Sequence, residues 1–174
     1  MISQLLFKIS AYLRCRIING PDKQAYLERY HLLRLPFGLQ IYLHRFVNSD
    51  PGKRLHNHPW KFAFSLILSG SYLETRLGNF RSNYKLGTRL VKPGYLNCID
   101  SKIFHRINLQ PESEVWSLFI HASASRGWGF LDTSIRQFSY QDHNQKLNIE
   151  SNPDWWKTAK RPKENPSMRQ QMHH

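Results

Sequence analysis

The chemistry of this chain starts at His56-Asn57-His58, in the stretch "KRLHNHPWKF". Side chains alternate along a strand, so residues i and i+2 share a face, with α-carbons about 6–7 Å apart. Two imidazoles placed that way can converge on one metal ion. A third ligand must come from elsewhere, and His105 in "KIFHRIN" is the best candidate. It begins a later apolar run, and an antiparallel barrel brings such runs side by side.

Other residues can serve or frame such a site. His44 and His121 lie in strand-like runs and read first as hydrogen-bonded core or rim histidines, with His121 also able to line a cavity. Glu74 reads as a cross-strand partner for an arginine, or as a displaced carboxylate ligand. Trp60 and Trp128 read as core or pocket walls. Arg45, Arg76, Arg89 and Arg126 have the fork geometry to clamp a carboxylate or phosphate, though most arginines are surface charges. Cys98 sits in an apolar run, where an inert buried thiol is expected. No Ser-His-Asp order, P-loop or dinucleotide fingerprint is present.

These residues need elements to hold them. Leu5, Leu6, Ile9, Tyr12, Leu13 and Ile17 fall at helical spacing, predicting an amphipathic helix over 2–18 that packs on the body, with a membrane-surface helix as the lesser reading. "NGPD" (19–22) breaks it, and a second short helix is expected over 23–33. Beyond residue 37 the pattern changes to short β-branched and aromatic runs separated by turn clusters. "LQIYLHRFV", "FAFSLIL", "SYLETRL", "RSNYKL", "TRLVK", "YLNCI", "HRINL", "VWSLFI" and "WGFLDTSIRQF" are divided by Gly, Pro, Asn and Asp. Such spacing predicts an all-β sandwich or barrel. The expected organisation is a helical cover over 1–36, a barrel over 37–142 and a loose basic extension over 143–174, with "DWW" (154–156) able to dock. The terminal His173-His174 pair is excluded from the site.

The spacing resembles the two motifs of the cupins, small jelly-roll barrels. For the first motif the chain offers Gly52, His56, His58 and Gly70, with three residues between Gly52 and His56. For the second it offers Gly87, Pro93, Gly94, His105 and Asn108. The words "YLHRF", "SD", "HNHPW", "SLILSGSYLE" and "RGWGF" are also similar to an uncharacterised bacterial and phage cupin-like group. The resemblance spans about residues 39–121 and implies an all-β, cupin-type jelly-roll barrel.

The cupin glutamate would fall at Phe62 or Ala63, which cannot bind a metal. The implied site is therefore a three-histidine variant, His56, His58 and His105, similar to that of the thiol dioxygenases. There three neutral imidazoles hold Fe(II) and leave positions open, which implies a divalent metal here, Fe(II) foremost, with Ni(II), Mn(II) or Zn(II) as alternatives. Lys61 shares strand parity with Ala63 and Ser65 and is expected to point inward. A cation there repels a divalent ion by about 4 kcal/mol at 4 Å and an effective dielectric near 20, or else recognises an anionic substrate. Lys61, Tyr72, Glu74, Arg76, Arg89, Trp60 and His121 form the expected substrate-binding set. Three functions follow: a dioxygenase-like oxidoreductase acting on a small anionic substrate, a non-catalytic binding module for a small ligand or polyanion, and a metal-free sugar-nucleotide isomerase with a His base oriented by Glu74.

Bulk properties bound these readings. The chain has 174 residues, enough for a real core, with 40% hydrophobic and 13% aromatic content. No apolar run has the length of a membrane span. The formal net charge of +13 favours polyanionic partners without specifying one. Nucleic acid is compatible but not expected, and so is a homodimer. Two cysteines without a CxxC motif predict reduced thiols in a cytoplasmic protein, and the N-terminus lacks the layout of a signal peptide.

Overall fold

The computed structural model describes residues 1–77, 86–125, 127–132, 139–142 and 154–172. It contains one α-helix, α1 (Ile2–Ser10), and twelve strands among the described residues. These are β1 (Arg14–Asn19), β2 (Ala25–Arg34), β3 (Gln40–Phe46), β4 (Leu55–His56), β5 (Phe62–Ser69), β6 (Tyr72–Leu77), β7 (Leu86–Val91), β8 (Leu96–Asp100), β9 (His105–Asn108), β10 (Val115–His121), β11 (Gly129–Asp132) and β12 (Ser139–Asp142). Arg126, residues 81–85 of the "RSNYKL" run, 133–138 of the last run and 143–153 of the extension lie outside the described residues.

The strands form two antiparallel six-stranded sheets, in the orders β1-β2-β3-β10-β5-β8 and β12-β11-β4-β9-β6-β7. The pairings β3/β10, β4/β9, β5/β8 and β6/β7 are those of one long hairpin. The pairings β10/β5 and β9/β6 roll that hairpin up. This is a jelly roll, which hides most strand edges by wrapping them, and it is the cupin-type architecture expected from the sequence. Gly70 ends β5 at φ +76°, where a Cβ would sit 2.1 Å from the Glu114 carbonyl, so only glycine fits this turn.

Two layers of core result. Leu27, Phe46, Ile67 and Val115 of the first sheet meet Tyr72, Val91 and Ile107 of the second. On the outer side of the first sheet, Cys15, Tyr30, Leu43 and Trp116 are covered by Leu6, Phe7 and Leu13 from the N-terminal segment and by Met168 from the C-terminal one. A third cluster between the sheets, Tyr42, Ala63, Ile99 and Phe119, is joined by Trp60 and Trp155.

Three expectations are corrected. The helix over 2–18 stops at Ser10, and the apolar Cys15-Arg16-Ile17-Ile18 stretch is strand β1. The helix over 23–33 is strand β2, because pairing with β1 on one side and β3 on the other satisfies its backbone and overrides the helical preference of its Leu, Glu and Arg residues. The extension is tied down over 154–172: the Lys160 carbonyl accepts from the Cys15 amide at 3.0 Å, and the Lys163 amide donates to the Ala11 carbonyl at 2.8 Å. Among the described residues no helix is long and apolar enough to cross a membrane.

Candidate metal centre

His56 is the last residue of β4 and stands directly across from His105 on β9. His58 lies beyond the strand, so strand alternation does not place it. Asn57 does. Its side chain is buried, its Nδ2 donates to the Ser101 carbonyl at 3.0 Å, and its Oδ1 accepts from the Gly129 amide at 2.7 Å. Its own amide donates to the Gly129 carbonyl at 3.1 Å. The residue between the two histidines thus pins the loop that turns His58 toward the others.

The three histidines converge. Their candidate donor atoms lie within 4.8 Å of one another, and His58 Nε2 stands 2.9 Å from His105 Nε2. Two imidazoles bound to one ion through bonds of about 2.0–2.1 Å at right angles stand roughly 3 Å apart. His105 is 1% exposed, and its Nδ1 donates to Glu74 Oε1 at 2.8 Å. A carboxylate on the far nitrogen fixes the tautomer and leaves Nε2 facing the centre, as ligating histidines require.

Glu74 is fully buried on β6. Arg89 donates to its Oε2 through Nε at 2.7 Å, and Asn97 donates to its Oε1 at 3.0 Å. Burial opposes its charge, but the His105 hydrogen bond and charge, the Asn97 amide and Arg76 outweigh burial and hold its carboxyl down at about 2. Glu74 is therefore an ionised orienter of His105 rather than a member of the donor cluster. Its pairing with Arg89, directly opposite on β7, is the cross-strand partnership expected from the sequence.

The electrostatics favour ligation. Burial pushes His56 down to about 4, against the pull of Asp50, whose Oδ2 lies 3.7 Å from His56 Nδ1. Burial, then His56 and His105, then Arg29 and His44, push His58 well below its usual range. Both imidazoles are neutral at physiological pH, the form that binds a metal. The donor set and its carboxylate orienter fit a divalent ion.

Aromatic rings wall the centre on one side. Trp60 stacks on His58 at 4.8 Å between ring centres and on His121 at 4.3 Å, and meets Phe119 at 5.2 Å. His121 stacks in turn on Tyr42, and its Nδ1 faces the Ala122 carbonyl at 2.7 Å. His44 stacks on Phe119 at 4.6 Å.

The other expected residues divide. Tyr72 is buried in the core, and its hydroxyl accepts from Asn97 at 3.2 Å. Arg76 Nη2 donates to the Cys98 carbonyl at 2.7 Å, and Arg89 Nη2 and Nη1 donate to Asn97 Oδ1 and Tyr95 Oη, so both arginines are committed to the Glu74 network. Lys61 is corrected: it is exposed in the bend before β5, which begins at Phe62, so the inward alternation of Ala63 and Ser65 does not extend to it. Cys98 is corrected too, being exposed on the outer face of β8. Arg45 is fully buried on the outer side of the first sheet, and Trp128 packs near Phe130. Sequence reasoning missed Asn57, Asp50, Asn97 and Arg29. Of these only Asp50 carried a signal, in the turn cluster "NSDPG".

No sequence-family profile matches the chain, and no curated protein sequence does. Solved structures do. An oxalate oxidase in complex with the substrate analogue glycolate is 22% identical, covering 52% of this chain and 44% of its own, with a TM-score of 0.41. The hydroxypropylphosphonic acid epoxidase from S. wedmorenis is 15% identical, covering 63% and 55%, with a TM-score of 0.44. A putative mannose-6-phosphate isomerase from Ralstonia eutropha is 18% identical, covering 62% and 90%, with a TM-score of 0.46. The chain thus spans about half the length of the oxidase and epoxidase chains it matches.

Proposed function

We propose that His56, His58 and His105 hold one divalent metal ion, Fe(II) foremost, and that the chain is a metal-dependent oxidoreductase of dioxygenase type acting on a small anionic substrate. The observation that carries this reading is the convergence of three imidazoles with Glu74 on the far nitrogen of His105. Ni(II), Mn(II) or Zn(II) suit the same donors. The ion would supply Lewis-acid and redox chemistry toward substrate and O₂.

The chain's own residues do the rest. His56 and His58, kept neutral by burial, present lone pairs rather than protons. Glu74 keeps the His105 proton on Nδ1. The Trp60–His121–Tyr42 stack restricts water on one side and gives a substrate an apolar wall. Free Cys15 and Cys98 suit a reducing, cytoplasmic setting in which Fe(II) persists.

The test is O₂ consumption by anaerobically Fe(II)-loaded protein across a panel of small carboxylates, with His58→Ala as the control. Uptake that depends on one substrate and on His58 is expected. Metal binding without turnover for any member favours the binding module. The Glu74–His105 pair is also the orienter–base arrangement an isomerase needs. A chain that binds no metal yet isomerises a sugar nucleotide would replace the oxidoreductase reading.

A further inference from the structure

We propose that Arg29 is the anion-binding subsite of this centre and that the group it takes is the carboxylate of a small monoanionic substrate. The inference rests on the proposed function for its role, but not for its evidence. Arg29 lies on β2, half-buried, on the face that carries Leu27 and His31 toward the second sheet. Its Nε donates to His44 Nε2 at 3.1 Å, and its guanidinium carbon lies 5.3 Å from the centre of the Tyr42 ring.

No carboxylate of the described residues pairs with it. Arg76 and Arg89 share Glu74, and Arg45 holds Glu28 and Glu114. Arg29 has instead a like charge directly opposite, Arg16 on β1, and such opposition across strands is destabilising. Burial itself disfavours its charge, and the groups acting on it besides, Tyr42, Tyr26 and Arg16, include no carboxylate. A desolvated cation without a counter-charge is costly to keep unless something anionic arrives.

The surroundings say what would arrive. Across the first sheet, Arg29 stands opposite His44, and His44 opposite Ser117. Ser117 is fully buried, and its hydroxyl has no hydrogen-bond partner. This row reaches the metal centre through rings: His44 on Phe119, Phe119 on Trp60 and Trp60 on His58. His44 Nε2 accepts from Arg29 and so carries no proton there, which leaves the Arg29 guanidinium as the one cation of this row. A single guanidinium matches a monoanion rather than a phosphate dianion. With Nε committed to His44, the two Nη groups remain as a fork, the edge that fits a carboxylate bidentately. Trp156 stacks on His31 at 4.3 Å and Trp155 on Tyr42 at 6.1 Å, which roofs the row and limits it to a small acid.

The experiment is a titration of the EDTA-treated full chain with sodium acetate at constant ionic strength, followed by calorimetry and melting temperature, with sodium phosphate in parallel. Saturable acetate binding is expected, weakened at least tenfold by Arg29→Met and by Arg29→Lys and unchanged by Lys92→Ala, at an exposed lysine outside the row. If Arg29→Met fails to fold, Arg29→Lys decides, since it keeps the charge and loses the fork. Absence of saturable acetate binding, an unaffected Arg29→Lys, or phosphate binding of equal strength and equal dependence on Arg29 would each overturn the proposal. A chain that takes no metal but retains Arg29-dependent acetate binding would sink the oxidoreductase reading and leave this one standing.

Discussion

Strands β2 and β3 carry one buried or half-buried arginine toward each side of the first sheet, and the two are finished differently. On the outer side Arg45 faces Glu28 across the strands, is fully buried, and holds Glu28 at 3.1 Å and Glu114 at 2.6 Å. It also donates to the Gln170 and Gln171 carbonyls at 2.7 and 3.2 Å, and it lies near the rings of Phe7 and Trp116. On the inner side, one residue along, Arg29 faces His44 and holds no carboxylate among the described residues. The outer charge is closed by the protein itself and belongs to the fold. The inner charge has no carboxylate among the described residues and is linked to the histidine centre through His44, Phe119 and Trp60, which is where the proposed anion would bind.

The largest effect should come from breaking the closed side. Arg45→Met leaves Glu28 buried without its cation and should cost about 3–5 kcal/mol in denaturant unfolding. Arg29→Met loses one hydrogen bond and relieves an opposed charge, so its cost should stay within about 1 kcal/mol. Equal costs would erase the distinction. Glu74→Gln sharpens it next: metal affinity should fall by roughly 10–100-fold, measured by competition with a chelating dye. Glu28→Gln should lower the melting temperature and leave metal affinity unchanged.

A smaller effect is expected with pH in the metal-free chain. Burial pushes His56 and His121 down to about 4 in the fold. In the unfolded chain each takes its proton near 6.5. Between those values the unfolded state binds more protons, so stability is full above about 6.5 and falls as pH drops toward 4. The slope is at most about 1.4 kcal/mol per pH unit for each group. His121→Asn should make it shallower, and a flat profile would show that these inner imidazoles are not held neutral. The smallest effect concerns the outer cover. Cys98 is exposed, whereas Cys15 is 3% exposed beneath α1 and the tail, with its thiol pushed up to about 12 by burial first and the Glu28 charge next. A thiol reagent should label Cys98 alone in the folded chain. Fast labelling of both would mean that the cover over Arg45 opens readily.

Spacing made the centre legible. His56 and His58 announce themselves as a pair, and His105 heads a short run that only a barrel could bring back beside them. Glu74 was legible as an arginine partner, because opposite charges pair across neighbouring strands. What spacing could not show depends on register and backbone. Helical spacing of Tyr12, Leu13 and Ile17, and of the leucines around Glu28, hid two strands, since only the pairing of β2 with β3 and of β1 with β2 decides their state. Which side Arg29 faces follows from that pairing as well. Lys61 looked inward only on the premise that β5 begins one residue earlier than it does. Asn57 works through backbone contacts to Ser101 and Gly129, and the tail is fixed through the carbonyls of Gln170 and Gln171. Backbone acceptors leave no mark in a sequence.

Metal stoichiometry tests the central claim most directly. The 174-residue chain, purified without an added tag, would be loaded anaerobically with Fe(II), desalted and analysed by mass spectrometry for metal per chain. The same would be done for a His56→Ala/His58→Ala/His105→Ala triple variant that keeps the terminal histidine pair. The account predicts one ion per chain in the wild type and none in the triple variant. No bound ion in the folded wild type, or the same content in both, would contradict it.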